Sequence, residues 1–199
     1  MRQLKDYTGS VYGGLGQLLY AYYQAQGLAI PEKLQRIQNL ERFDYSLWRE
    51  LLLELNTQLR RPALGLEIAE LVQPKHLGII AYIAMSCENL GEALQRYHDF
   101  HRLIYDGSPL QVTAQGGLLS IRWSELPQNM TAQITDETAI ALMVGFLKHF
   151  MDFKNIRLHA VHFQSAAPKH AALYAQYFGC KVRFSQPCSE VLLPVQELS

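Results

Sequence analysis

HLGIIAYIAMSCENLGEALQRYHDFHRLIY, residues 76–105, is the stretch on which the reading of the fold turns. From Leu90 onward the apolar or aromatic positions fall at Leu90, Ala93, Leu94, Tyr97, Phe100, His101 and Ile104, the spacing of one broad helical face. Glu92, Gln95, Arg96, Asp99 and Arg102 take the other side. Asn89 stands three residues before Glu92, the arrangement of an N-cap with partial capping-box character. The preceding segment, Ile79–Met85, has no charge and no polar face, so it is expected to be buried. The stretch therefore reads as two consecutive helices with one short break.

Working outward toward the N-terminus, the helical period persists. Val11–Gln26 carries Leu15, Leu18, Leu19, Tyr22 and Tyr23 at helical spacing, with Gly27 suited to close it. Its glycines Gly13, Gly14 and Gly16 resemble a phosphate loop only superficially. They lack the Lys-Ser/Thr that such a loop needs, and no strand is expected before them. A helix start packed closely on a neighbour is the expectation. Pro31 opens a second piece with Leu34, Ile37 and Leu40, and Tyr45–Leu59 forms a third with Trp48, Leu51, Leu52 and Leu55 inward. Ala63–Val72 is a short helix closed by Pro74.

Toward the C-terminus the period changes. Leu110–Gln115 and Leu118–Trp123 flank Gly116-Gly117, the signal of a tight hairpin. Leu119, Ile121 and Trp123 alternate with Ser120, Arg122 and Ser124, as in a sheet with one buried face. After a loop over 125–134, Asp136–Asp152 has so few polar positions that it is expected to be a central buried helix. Gly145 inside it suggests close packing at that point. Ile156–Phe163 reads as a strand, Pro168 to Phe178 as a helix ended by Gly179, and Lys181–Phe184 and Val191–Val195 as short strands. The class expected is α+β: a helical N-terminal half packed on a small mixed β-sheet, with a hairpin, a central buried helix and a strand-helix-strand unit.

Composition bounds the function. The chain has 199 residues, 49% apolar and 18% charged, enough for one domain with a substantial core. Eighteen basic and eighteen acidic residues cancel. That balance argues against this chain alone gripping nucleic acid, where phosphate contacts need excess positive charge. Cys87, Cys180 and Cys188 form no CxxC and no disulfide framework, which points to reduced thiols in the cytoplasm. The first ten residues hold no apolar signal region, and no run of about 18 apolar residues predicts a membrane helix.

Chemical constellations are sparse. His98 and His101 are three apart on one helix, a spacing used by some metal sites, but no Glu-x-x-His accompanies them. His159 and His162 point to opposite faces of a strand. His98 and Asp99, as helical neighbours, are not expected to face each other. Cys87 lies in an apolar stretch, and no G-x-S-x-G occurs. No catalytic residue, metal or cofactor is expected. An apolar ligand pocket is expected where the helical half meets the sheet, with Tyr82, Tyr97, Trp123 and Met143 lining it and His98 or His101 as polar contacts.

Two segments carry a family resemblance. Pro62-Ala63-Leu64-Gly65-Leu66, then Leu77-Gly78-Ile79-Ile80-Ala81-Tyr82, then Leu90-Gly91-Glu92-Ala93-Leu94 form the first. Phe163, Pro168, His170, Tyr174, Phe178, Gly179, Val182 and Phe184, followed by Val191 to Pro194, form the second. In order and separation they resemble the N-terminal effector domain of AraC-type transcriptional regulators, of the branch called arabinose-binding. Most of these residues are turn glycines, a helix-opening proline and core aromatics, so they mark the domain and not a site. The resemblance implies a single ligand-sensing regulatory domain over 1–199, a homodimer, and a small-molecule effector of unknown identity. It implies DNA binding only through a C-terminal helix-turn-helix domain absent from this chain; with no apolar run long enough for a membrane helix, no membrane partner is expected. A free-standing small-molecule binding protein or a weak enzyme on the same fold is the alternative.

Overall fold

In the computed structural model, which describes residues 8–123, 132–151 and 156–199, the N-terminal helices form where their apolar spacing places them. They are α1 (Gly13–Ala25), α2 (Glu32–Arg36), α3 (Tyr45–Leu59), α4 (Leu64–Ala69), α5 (Pro74–Leu77), α6 (Ile79–Met85) and α7 (Leu90–Phe100). Gly27, at φ +64°, takes the left-handed conformation just beyond α1. Asn89 caps α7, its side chain accepting from the Glu92 N–H at 2.8 Å, while the Glu92 carboxylate reaches back to the Glu88 N–H at 3.2 Å.

Ahead of α1 stands an element the sequence did not announce. Strand β1 (Ser10–Tyr12) pairs antiparallel with β2 (Arg42–Asp44). Three residues are too few for a period of two to show. A strand thus does precede the glycine run, against expectation. The run is nonetheless a packing device: Gly13 donates its N–H to the Glu41 carbonyl at 2.6 Å, and a Cβ on Gly13 would lie 1.9 Å from the Leu40 carbonyl oxygen. Leu40 itself is exposed.

Helix α6 corrects the second expectation. Ile80, Ala81 and Ala84 are buried, but Ile79 is 59% exposed, Tyr82 55% and Met85 44%. A charge-free sequence predicts burial on all sides, yet this short helix packs on α5 and α7 from one side. Phe100, expected on the buried face of α7, is 39% exposed at the helix end.

The C-terminal half holds a five-stranded sheet. Hairpin strands β3 (Leu110–Gln115) and β4 (Leu118–Trp123) turn through Gly116 and Gly117, at φ +60° and +76°. Next come α8 (Gln133–Phe150), β5 (Ala160–His162), α9 (Ala172–Phe178), β6 (Lys181–Arg183) and β7 (Glu190–Pro194). The strand order is β3-β4-β7-β5-β6, antiparallel except for the β5–β6 pair. The β5-α9-β6 segment is thus a parallel strand-helix-strand unit. Strand β5 is shorter than the expected 156–163, although the His159 and Phe163 N–H groups each donate one further bond, to Leu192 and Arg183. Pro168 opens the turn before α9, and Gly179 closes that helix at φ +66°. Ser120, expected to face solvent, is buried under Glu190, to which its hydroxyl donates at 2.6 Å.

The expected loop lies mostly outside the described residues, and α8 begins at Gln133, earlier than expected. Between Ile134 and Leu147 every residue is buried except Asp136 and Ala139, so the helix is central as its composition demands. It packs on α4 and α3. The close approach lies at Gly65, where a Cβ would come within 2.4 Å of Glu137 Cγ. At Gly145 an added Cβ would make an ordinary contact, 3.4 Å from the Tyr177 hydroxyl, so packing does not demand the glycine there.

Candidate functional site

Asp136 and Ala139, the two breaks in the burial of α8, face a cavity of about 100 Å³. Thr135, Thr138 and Leu142 join them from the same helix. Val11 and Leu15 enter from β1 and α1, Tyr45 and Trp48 from α3, and Trp123 from the end of β4. Ser189, just before β7, and Gln164, just after β5, close the sheet side. Another part of the wall is His101, from the 3-10 turn that follows α7 (His101–Leu103), with Ile104 and Tyr105 beyond it. The cavity thus lies between helices and sheet, as the sequence suggests, and it involves the unforeseen β1.

That turn is held firmly. Tyr12 donates its N–H to the Ile104 carbonyl at 2.8 Å. Arg42 on β2 donates to the Leu103 carbonyl and to the Ser10 hydroxyl, each at 2.7 Å. Asp106 accepts from the Ser10 N–H at 2.6 Å and from its hydroxyl at 3.0 Å. The small β1–β2 sheet therefore anchors the segment that carries His101.

His101 is 5% exposed, and its Nδ1 is buried with no hydrogen-bond partner. Its ring lies edge-on to Tyr97 at 5.5 Å and to Tyr105 at 6.3 Å. Burial, helped by nearby His98, pushes its pKa down to about 4, so the ring is neutral at pH 7. An unpartnered buried imidazole nitrogen is unusual in a folded protein.

Asp136 is the one acid among the described residues of the wall. The Ser189 hydroxyl donates to its Oδ2 at 2.7 Å and itself accepts the Gln164 N–H at 3.2 Å. Burial pushes the Asp136 carboxyl up to about 6, against the opposing effect of the Ser189 bond. Among the described residues that line the cavity there is no Lys or Arg. Other polar groups are already engaged: Thr138 donates to the Ile134 carbonyl at 2.6 Å and Tyr105 to the Thr8 carbonyl at 2.9 Å.

The expected pocket residues do not all meet. His101 and Trp123 line the cavity. Tyr97 and Met143 line a separate apolar void of about 20 Å³, with Leu77 touching both spaces. Tyr82 projects from the outer side of α6. His98 is exposed and, against expectation, its Nδ1 lies 3.3 Å from the Asp99 carboxylate of its neighbour. Asp136, Ser189, Tyr45 and Trp48 were not anticipated. An acid inside an otherwise apolar helix was the available signal for Asp136; Ser189 is brought in by sheet pairing alone. Among the described residues no group of three or more His, Cys, Asp or Glu is placed to hold a metal ion, and no helix is long and apolar enough to cross a membrane.

Known proteins supply the context. The ornithine utilization regulator of Pseudomonas aeruginosa is 27% identical over 138 residues, 69% of this chain and 40% of that protein. The crystal structure of the transcriptional regulator CdpR from Pseudomonas aeruginosa shares the fold, with a TM-score of 0.65 and 18% identity, over 92% of this chain and 55% of that one. Residues 27–199 match the family described as the arabinose-binding domain of AraC transcription regulator, N-terminal. With the match covering most of the chain, the protein belongs to this family of AraC-type regulatory domains.

Proposed function

We propose that the cavity between α3, α8 and the sheet receives a small-molecule effector. Occupancy then biases DNA binding by a helix-turn-helix domain attached to this one. The observation that carries the reading is His101: a buried, neutral ring whose Nδ1 has no partner, held in the wall of a largely apolar cavity. A ligand group supplies the missing hydrogen bond.

The mechanism is population shift. An effector that binds one arrangement of the domain better than another moves the equilibrium by the difference of its two affinities, and by no more. The helix α8 contributes both to the cavity wall and to the packing on α4, so it joins the binding site to the rest of the core. The proposal extends to a cytoplasmic homodimer with no catalytic activity, acting on DNA through the partner domain alone.

The test is to fill the cavity. Ala139→Trp places a large side chain where the effector would sit. In a regulator carrying both domains, the variant is expected to fold and to lose the transcriptional response to the inducing medium. An unchanged response would remove this cavity from the mechanism. For the 1–199 chain, gel-shift titration at physiological salt is expected to find no sequence-specific DNA binding, and sedimentation to find a dimer.

A further inference from the structure

The polar groups of the cavity are unequal, and they select a chemical class. Asp136 presents a carboxylate with one donor, Ser189, and no ion pair with any cation among the described residues. An anionic effector would meet that carboxylate and find no Lys or Arg in the described wall to offset it. Four aromatic residues line the space: Trp48, Trp123, Tyr45 and Tyr105. Indole and phenol rings attract cations through their quadrupoles, most strongly where water is excluded. A desolvated carboxylate in an aromatic-lined cavity is therefore complementary to a positive charge on an apolar body.

Resting on the reading of this cavity as the effector site, we infer that the effector is a small amine, bound as its ammonium by Asp136 within the aromatic wall. The unpartnered Nδ1 of His101 is a second, independent contact: a neutral imidazole nitrogen can accept from an N–H or pair with a hydroxyl. At about 100 Å³ the space is on the scale of cavities that take one aromatic ring or its equivalent. That favours a compact monoamine or amino alcohol over a nucleotide or an oligosaccharide.

Calorimetric titration of the 199-residue protein at pH 7.5 tests this with three probes of similar size and different charge: benzylamine, benzyl alcohol and benzoate. Benzylamine is expected to bind at least about tenfold more tightly than the other two, and Asp136→Asn to bring it down to the level of benzyl alcohol. Ser189→Ala keeps the carboxylate and is expected to preserve the amine preference, which guards against a folding failure of Asp136→Asn. Benzyl alcohol binding as tightly as benzylamine, or an amine preference that survives in Asp136→Asn, overturns the amine assignment and leaves the cavity as the effector site. If none of the three binds to wild type, and Ala139→Trp retains the effector response, the cavity reading fails as well.

Discussion

Asp136 and Glu137 are consecutive acids on one helix, and their surroundings differ completely. Glu137 points toward α4 and α9. It accepts the Gly65 N–H at 2.8 Å and the Tyr174 hydroxyl, whose oxygen in turn accepts from the Gln133 amide at 3.0 Å. Burial raises its pKa, and these donors work against the rise. Asp136 points into the cavity with one donor. Both are desolvated, so burial alone does not distinguish a structural acid from a binding one. The distinction lies in the partners: Glu137 is enclosed by donors from two other helices, whereas Asp136 fronts an open space.

The largest effect should come from breaking the saturated side. Glu137→Ala leaves the Gly65 N–H and Tyr174 hydroxyl unpaired in the core and is expected to cost about 3–5 kcal/mol in denaturant unfolding. Glu137→Gln keeps the shape and one acceptor and should cost clearly less. Equal losses for the two would show that charge, and not hydrogen bonding, holds α4 to α8.

Next in size is the acid sensitivity of His101. Its folded pKa of about 4 lies below the ordinary 6.5, so its contribution is fully present above pH 6.5 and lost as pH falls toward 4. The full difference amounts to roughly 3 kcal/mol. His76, held low by burial and by Lys75, acts in the same direction. His101→Phe should therefore flatten, but not abolish, the loss of stability between pH 6.5 and 4. An unchanged pH profile would contradict a buried neutral ring.

Asp136 has the opposite sign. With its pKa raised from 3.8 to about 6, its ionised form is penalised by folding, so stability is present below pH 3.8 and lost as pH rises through 6. Asp136→Asn is expected to stabilise the protein by about 2 kcal/mol at pH 7 and to confer no comparable advantage at pH 3.5. A destabilised Asp136→Asn would place the carboxylate in the same structural role as Glu137. The smallest effect is expected at Gly145, where Gly145→Ala has room for its methyl and should stabilise by about 0.5–1 kcal/mol through helix propensity.

Much of this architecture is legible in the sequence. Tyr45–Leu59, the Gly-Gly hairpin and the C-terminal strand-helix-strand unit follow from strong periods and from punctuation by glycine and proline. What could not be read were features made by pairing at a distance. β1 and β2 are strands only because they meet. The outer side of α6 looks like core in composition, and only the arrangement of its neighbours leaves Tyr82 uncovered. The cavity follows the same rule. His101 and Trp123 were accessible as aromatic positions at a junction, but the junction's chemistry depends on Asp136 and Ser189, which come together across the fold. Tyr97 and Met143 line a separate apolar void, which shares Leu77 with the cavity.

The wall of this cavity also has an optical consequence. The chain contains two tryptophans, and Trp48 and Trp123 both line the same space. Light absorbed selectively by indole is therefore absorbed nowhere else in the molecule. Emission wavelength, quenching and anisotropy would report the polarity and occupancy of the space around these two rings, Trp123 also bordering a second pocket with Arg122 and Glu190, with no distant indole to dilute the signal. The domain carries its own fluorophores at the place where a change is to be observed, and no label is needed to watch it fill.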